Sequence, residues 1–299
     1  SIIAREPARA LLIQQWFPSR EVILANSVSS TMFGLIVATG LVATPLILDA
    51  AADDWRLVLR VFGGLFVALT AVWVIFGKER PLPERRQEGS SWDPGLLRSA
   101  LSYRDLWVGG AGFMGATLAW SAFLSFYPTM MQDAYELSLR WSGAMLATSV
   151  FVGGISGIAL SYAVMTTGNR RTILQGVGVL MTGTYLGMTL TGSLPFLLVL
   201  ALLNGVAWGF YPVLYTVPFH LPGIRPRQIV IAVAATMTMT AVGTGTGPVV
   251  AGLLQEALGD LKQALFIIGF ASLSLTFAGT VLRPASEPAP AKGATVATG

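Results

Sequence analysis

Long apolar blocks separated by short charged connectors run through almost the whole of this chain, and they leave few folds open to it. A helix of about 20 residues crosses the hydrocarbon core of a bilayer. It also satisfies its own backbone hydrogen bonds where no water is present to do so. Blocks of about 18 or more apolar residues therefore read as membrane-spanning helices. Composition agrees: 54% of residues are hydrophobic and 11% are charged, against about 25% charged in soluble domains. The predicted fold class is an all-α polytopic membrane protein.

The predicted spans are 22–48, 57–76, 107–130, 142–165, 172–191, 195–218, 229–254 and 263–282. Residues 8–17 read as the end of one further helix. The longest connector, 77–106, carries Lys78, Arg80, Arg85, Arg86, Arg98 and Arg104 among prolines and glycines, with a short surface helix expected near Pro94–Leu101. The tail 284–299 is rich in Pro, Ala, Gly and Thr and reads as disordered. The opening Ser1–Pro7 lacks the basic start and apolar stretch of a secretory signal, so the chain reads as the interior of a longer protein.

Charge sets the orientation. With the 77–106 connector on the cytoplasmic side, 15 of the 19 cations fall in cytoplasmic segments. Arg56, Arg60, Arg140 and Lys262 remain outside, beside Asp49, Asp53, Asp54, Asp133, Glu136, Glu256 and Asp260. This is the sorting that positive charge undergoes at cytoplasmic membranes, and it accounts for the net charge of +4 without a nucleic-acid partner. The chain has no cysteine, which excludes disulfides and thiolate metal sites; no metal and no cofactor is expected. A loose internal repeat relates Arg20–Ala25 to Arg227–Ala232. Both open long spans that carry a glycine and then a proline: Gly40 with Pro45, and Gly243 with Pro248.

Several local patterns resemble the major facilitator superfamily. Gln14–Glu21 leading into a small-residue span is similar to that family's turn between helices four and five. Asp54-Trp55-Arg56 followed by Gly63-Gly64 is similar to the start of its sixth helix. The basic connector lies where the family joins its two six-helix halves, and Gly168-Asn169-Arg170-Arg171 resembles its short basic loop between helices eight and nine. Leu221–Arg227, with Gly247-Pro248 and Gly252, resembles the cyanate-permease-like branch of organic-anion and small-solute carriers.

The resemblance implies a helical bundle made of the end of helix four and helices five to twelve. Residues 1–76 would complete the N-terminal half, 77–106 would be a cytoplasmic linker, 107–283 the C-terminal half and 284–299 a cytoplasmic tail. It further implies secondary transport of a small organic solute or anion by alternating access, proton coupling among the options, in a bacterial inner membrane, by a monomer when complete. An efflux carrier of the same fold and a non-transporting sensor or structural protein stay open. A membrane enzyme is disfavoured by the single histidine, His220, and the lack of cysteine.

No charged residue lies near the middle of any predicted span, so a titrating coupling group is expected in helices preceding this chain. The chain itself offers hydroxyls, amides and aromatic rings. Trp120 lies near mid-depth with Ser121 beside it, where an interfacial role does not fit a tryptophan; it lines a cavity or packs between helices. Tyr127, nearer the outer surface, reads as an interfacial anchor. Asn204, Trp208, Tyr211 and Tyr215 step by four, three and four residues and share one helical face. That face meets a cavity or a neighbouring helix, where Asn204 would form an interhelical hydrogen bond. Thr31 is a further cavity candidate in a hydroxyl-rich span. Gly40, Pro45, Gly243, Gly247 and Pro248 are candidates for helix bending or gating, or else for close helix packing.

Overall fold

The computed structural model describes residues 22–282 apart from 53, 78–93, 168, 216, 222 and 225. The expected partial helix at 8–17 and the tail 284–299 lie outside the described residues. Eleven α-helices follow one another: α1 (Val22–Ala50), α2 (Trp55–Phe76), α3 (Pro94–Leu101), α4 (Arg104–Tyr135), α5 (Leu139–Thr167), α6 (Arg170–Leu190), α7 (Leu194–Trp208), α8 (Phe210–Tyr215), α9 (Pro226–Leu258), α10 (Leu261–Gly269) and α11 (Leu273–Val281). No strand occurs among the described residues. Among the described residues seven helical segments are long and apolar enough to cross a membrane, with α7–α8 and α10–α11 each counting as one. Gly34–Ala50 of α1 adds a shorter apolar stretch.

Helix starts follow local chemistry. Asp54 accepts hydrogen bonds from the backbone N–H of Arg56 (2.9 Å) and Leu57 (3.2 Å), and Asp260 accepts one from Lys262 (2.8 Å). Each side chain satisfies donors that the first turn of a helix cannot pair internally. The two acids thus open α2 and α10 in the same way, extending the internal repeat. Asn169 caps α6 through Thr172 N–H at 3.2 Å.

Packing is organised by seams of small and hydroxyl residues. Between α4 and α9, Gly243 lies against the Met114 carbonyl and the Thr117 hydroxyl, and Gly247 lies against the Leu118 carbonyl and the Ser121 hydroxyl. The Thr117 hydroxyl sits 3.1 Å from the Thr240 carbonyl across this seam. Between α5 and α7, Ser149 donates to the Ala201 carbonyl and Ser156 to the Gly205 carbonyl, both at 2.9 Å. In each serine this cross-helix bond is shorter than the one within α5 (3.3 and 3.2 Å). A third seam joins α4 to α11, where Ser274 donates to the Gly112 carbonyl at 3.0 Å. In lipid, where apolar surface provides no drive for helices to associate, such close contacts and hydrogen bonds hold a bundle together.

The helix α1 packs on α5. Pro45 has no N–H to give the Leu41 carbonyl, and it is this carbonyl that faces Gly143, where an added Cβ would lie only 2.9 Å away. The short α3 lies against α9, with Gln228 donating to the Ser99 hydroxyl at 2.8 Å and Trp107 donating to the Leu101 carbonyl at 2.8 Å. Tyr127 corrects one expectation. It is fully buried, stacked 5.9 Å from Phe123, so it cannot reach a headgroup as an interfacial anchor.

Candidate functional site

Four helices leave a crevice between them. Its walls are Trp120 and Phe123 of α4, Ser149 of α5, Tyr185 of α6, and Asn204 and Trp208 of α7, with Leu124, Leu146 and Val150 closing the sides. The space open to water in it is about 10 Å³, room for about one water molecule. The two tryptophan rings meet edge to face, their centroids 5.7 Å apart and their planes at 60°. Both are half-buried.

Two consecutive residues of α6 set the geometry of the α7 side chains. Asn204 Nδ2 donates to the Thr184 hydroxyl at 2.9 Å, and that hydroxyl donates to the Met181 carbonyl at 2.8 Å. Trp208 Nε1 donates to the Tyr185 hydroxyl at 3.2 Å. Tyr185 is buried and its ring lies 4.2 Å from that of Phe123. An amide or indole N–H removed from water without a partner costs about 1–3 kcal/mol, so these bonds fix Asn204 and Trp208 in place.

The crevice brings Trp120, Asn204 and Trp208 together. Ser121 does not line it: its hydroxyl turns to the Leu118 carbonyl (3.2 Å) beside Gly247 in the α4–α9 seam. Tyr211 also faces elsewhere. The helix breaks at Gly209, where an added Cβ would lie 2.8 Å from the Ser156 backbone. Beyond the break Tyr211 lies edge-on to Phe113 (5.1 Å), its hydroxyl 3.7 Å from Met237 Sδ. Trp208 and Tyr211 thus both meet α4, at Trp120 and Phe113, two turns apart along it. Thr31 lies in α1, its side chain outside the described residues. Among the bending candidates, Gly243 and Gly247 are contact points in the α4–α9 seam, whereas Gly40 has no neighbouring atom within 4 Å of where a Cβ would stand.

Sequence reasoning missed Thr184, Tyr185 and Ser149. A signal was present for the last: Ser142, Ser149 and Ser156 recur every seven residues, marking one face of α5, and all three are buried.

A bundle of apolar helices with seams of small residues and a mid-helix crevice is the architecture of a polytopic membrane protein. This chain belongs to the Major Facilitator Superfamily, whose profile matches residues 5–238. It is a superfamily of membrane transporters rather than enzymes. In sequence the chain is 26% identical over 175 residues to the uncharacterized transporter YybO of Bacillus subtilis (strain 168), a match covering 52% of this chain and 39% of that protein. In fold it is similar to a bacterial homolog of the human lysosomal transporter Spinster, with a TM-score of 0.60 and 18% identity over 92% of this chain and 71% of the other. It is also similar to the fucose:proton symporter FucP of E. coli, with a TM-score of 0.57 and 16% identity over 91% of this chain and 72% of the other. The protein is therefore an integral membrane protein of transporter fold.

Proposed function

We propose that the protein is a secondary carrier for a small organic solute, working by alternating access, with the α4–α7 crevice as part of its solute path. The observation that carries this reading is the convergence of Trp120, Asn204 and Trp208, from two helices, on one opening in a bundle of transporter family. Sites built between helices at mid-membrane are the usual design of secondary carriers. The charge distribution supports a cytoplasmic 77–106 linker and C-terminus in a bacterial inner membrane.

The test is uptake into vesicles containing the full-length protein, screened over small organic solutes. Uptake that Trp208→Ala lowers at unchanged membrane insertion supports the reading. Wild-type uptake in both Trp208→Ala and Asn204→Ala removes the crevice from the path. Loss of uptake on adding an uncoupler would support proton coupling, as named for FucP; insensitivity would contradict it.

A further inference from the structure

We propose that the exposed surface where α3 meets α4 binds the phosphate headgroup of an anionic phospholipid, through Arg98 and Arg104 on either side of Trp107. The surface lies apart from the crevice and needs no solute path. Three observations carry it.

The first is depth. Helix α4 has 32 residues. At 1.5 Å per residue it is about 18 Å longer than the ~30 Å hydrocarbon core. Its apolar block starts near residue 107, so its first turn stands in the headgroup layer. Arg104 and Trp107 are exposed there, one turn apart on one side of the helix. Tryptophan is a residue that settles at this level.

The second is local structure, which gathers the three side chains. Helix α3 buries Ala100 and turns Ser99 to Gln228 of α9, and Arg98 stands on its exposed side. The Trp107 indole donates to the Leu101 carbonyl at 2.8 Å. Leu101 is one turn beyond Arg98, and Arg104 is one turn before Trp107, so the two arginines flank one ring. Trp107 is 47% exposed, and its single polar side-chain atom is engaged. What the ring leaves open is apolar, a surface for the acyl end of a lipid.

The third is charge. Asp105, the acid nearest in sequence, interacts with the buried Arg170 of α6. The other described acids lie at the opposite ends of the helices: Asp133 near the end of α4 and Glu256 near the end of α9, for example. Arg98 and Arg104 therefore face no opposing charge among the described residues. A phosphate diester supplies one, in the form a guanidinium pairs with through two parallel N–H groups.

The experiment offers the purified full-length protein phosphatidylglycerol and phosphatidylcholine with the same acyl chains and counts retained lipid by native mass spectrometry. Phosphatidylglycerol should be kept in preference. Arg98→Gln and Arg104→Gln should each weaken its retention about fivefold, the worth of one basic residue at an anionic surface. Arg140→Gln removes an exposed cation at the other end of the bundle and should leave retention unchanged. No preference for phosphatidylglycerol, an equal loss in Arg140→Gln, or a preference that survives in the variant lacking both Arg98 and Arg104 overturns the site. Inorganic phosphate alone, titrated calorimetrically onto the protein in phosphatidylcholine nanodiscs, separates the two sources of the anion. No heat is expected; binding that the double variant abolishes would make free phosphate the ligand and overturn the lipid site. Neither arm reads uptake, so failure here is distinct from failure of the carrier reading.

Discussion

The helices α2 and α4 differ in a direction opposite to that of a water-soluble protein. The most apolar window of α2 has a mean hydropathy of 2.2 and is 6% buried within the protein; that of α4 has 1.2 and is 61% buried. In water the more apolar helix would be the core. In a membrane bundle burial goes to the helix able to approach its neighbours closely. Helix α4 does so through buried Gly109, Gly110 and Gly112 and buried hydroxyls on Thr117 and Ser121. Helix α2 has its own glycine pair, Gly63-Gly64, yet neither has an atom within 4 Å of where a Cβ would stand. Among the described residues no helix reaches that pair.

The largest effect should come from placing a branched side chain in the seam. Gly243→Val has to displace the Met114 carbonyl and the Thr117 hydroxyl, whereas Gly64→Val meets no atom among the described residues. Overpacking of this kind costs about 3 kcal/mol. Gly243→Val should lower the thermal unfolding midpoint of the purified protein sharply and Gly64→Val should barely move it; equal shifts would break the comparison. Next is Asn204→Leu, which strands the Thr184 hydroxyl without its donor and replaces a buried amide. About 2 kcal/mol should be lost, read by the same melt, with no loss if the amide bond is inconsequential. The α5–α7 seam is weaker per bond. Ser149→Ala and Ser156→Ala should each cost about 0.6 kcal/mol, the typical worth of a hydrogen bond between membrane helices; additive losses in the double variant would show that the two bonds act independently. Smallest is Lys262→Gln, which removes an ammonium 4.9 Å from the Tyr135 ring centre at about 0.5 kcal/mol. A melt shifted as far as that of Asn204→Leu would contradict the ordering.

Hydrophobic block length made the seven membrane-crossing segments and the helix Val22–Ala50 legible in the sequence, because length against bilayer thickness is a one-dimensional property. The superfamily was legible in short loop patterns, and the profile match over 5–238 agrees with them; it does not single out the cyanate-permease-like branch. Neighbour relations were harder to read. The 204–208–211–215 stripe meets α4 at two levels, Trp208 at Trp120 and Tyr211 at Phe113, and of its four residues Asn204 and Trp208 line the crevice. Thr184 and Tyr185 gave no local sign of their role, since it exists only where α6 meets α7. Gly243 and Gly247 suggested bending as readily as contact, and only the partner helix separates the two.

The central claim is that the α4–α7 crevice faces a wet solute path while α2 faces lipid. Exposure within the protein argues for the reverse order of reactivity, since Val74 of α2 is 74% exposed and Trp208 is half-buried. Because this chain has no cysteine, Trp208→Cys and Val74→Cys each introduce a single thiol into it. A membrane-impermeant thiol reagent attacks the thiolate, which forms in water and not in hydrocarbon. In the full-length protein in membranes, labelling at position 208 with none at 74 is the expected result. Labelling at 74 with none at 208 would contradict the account.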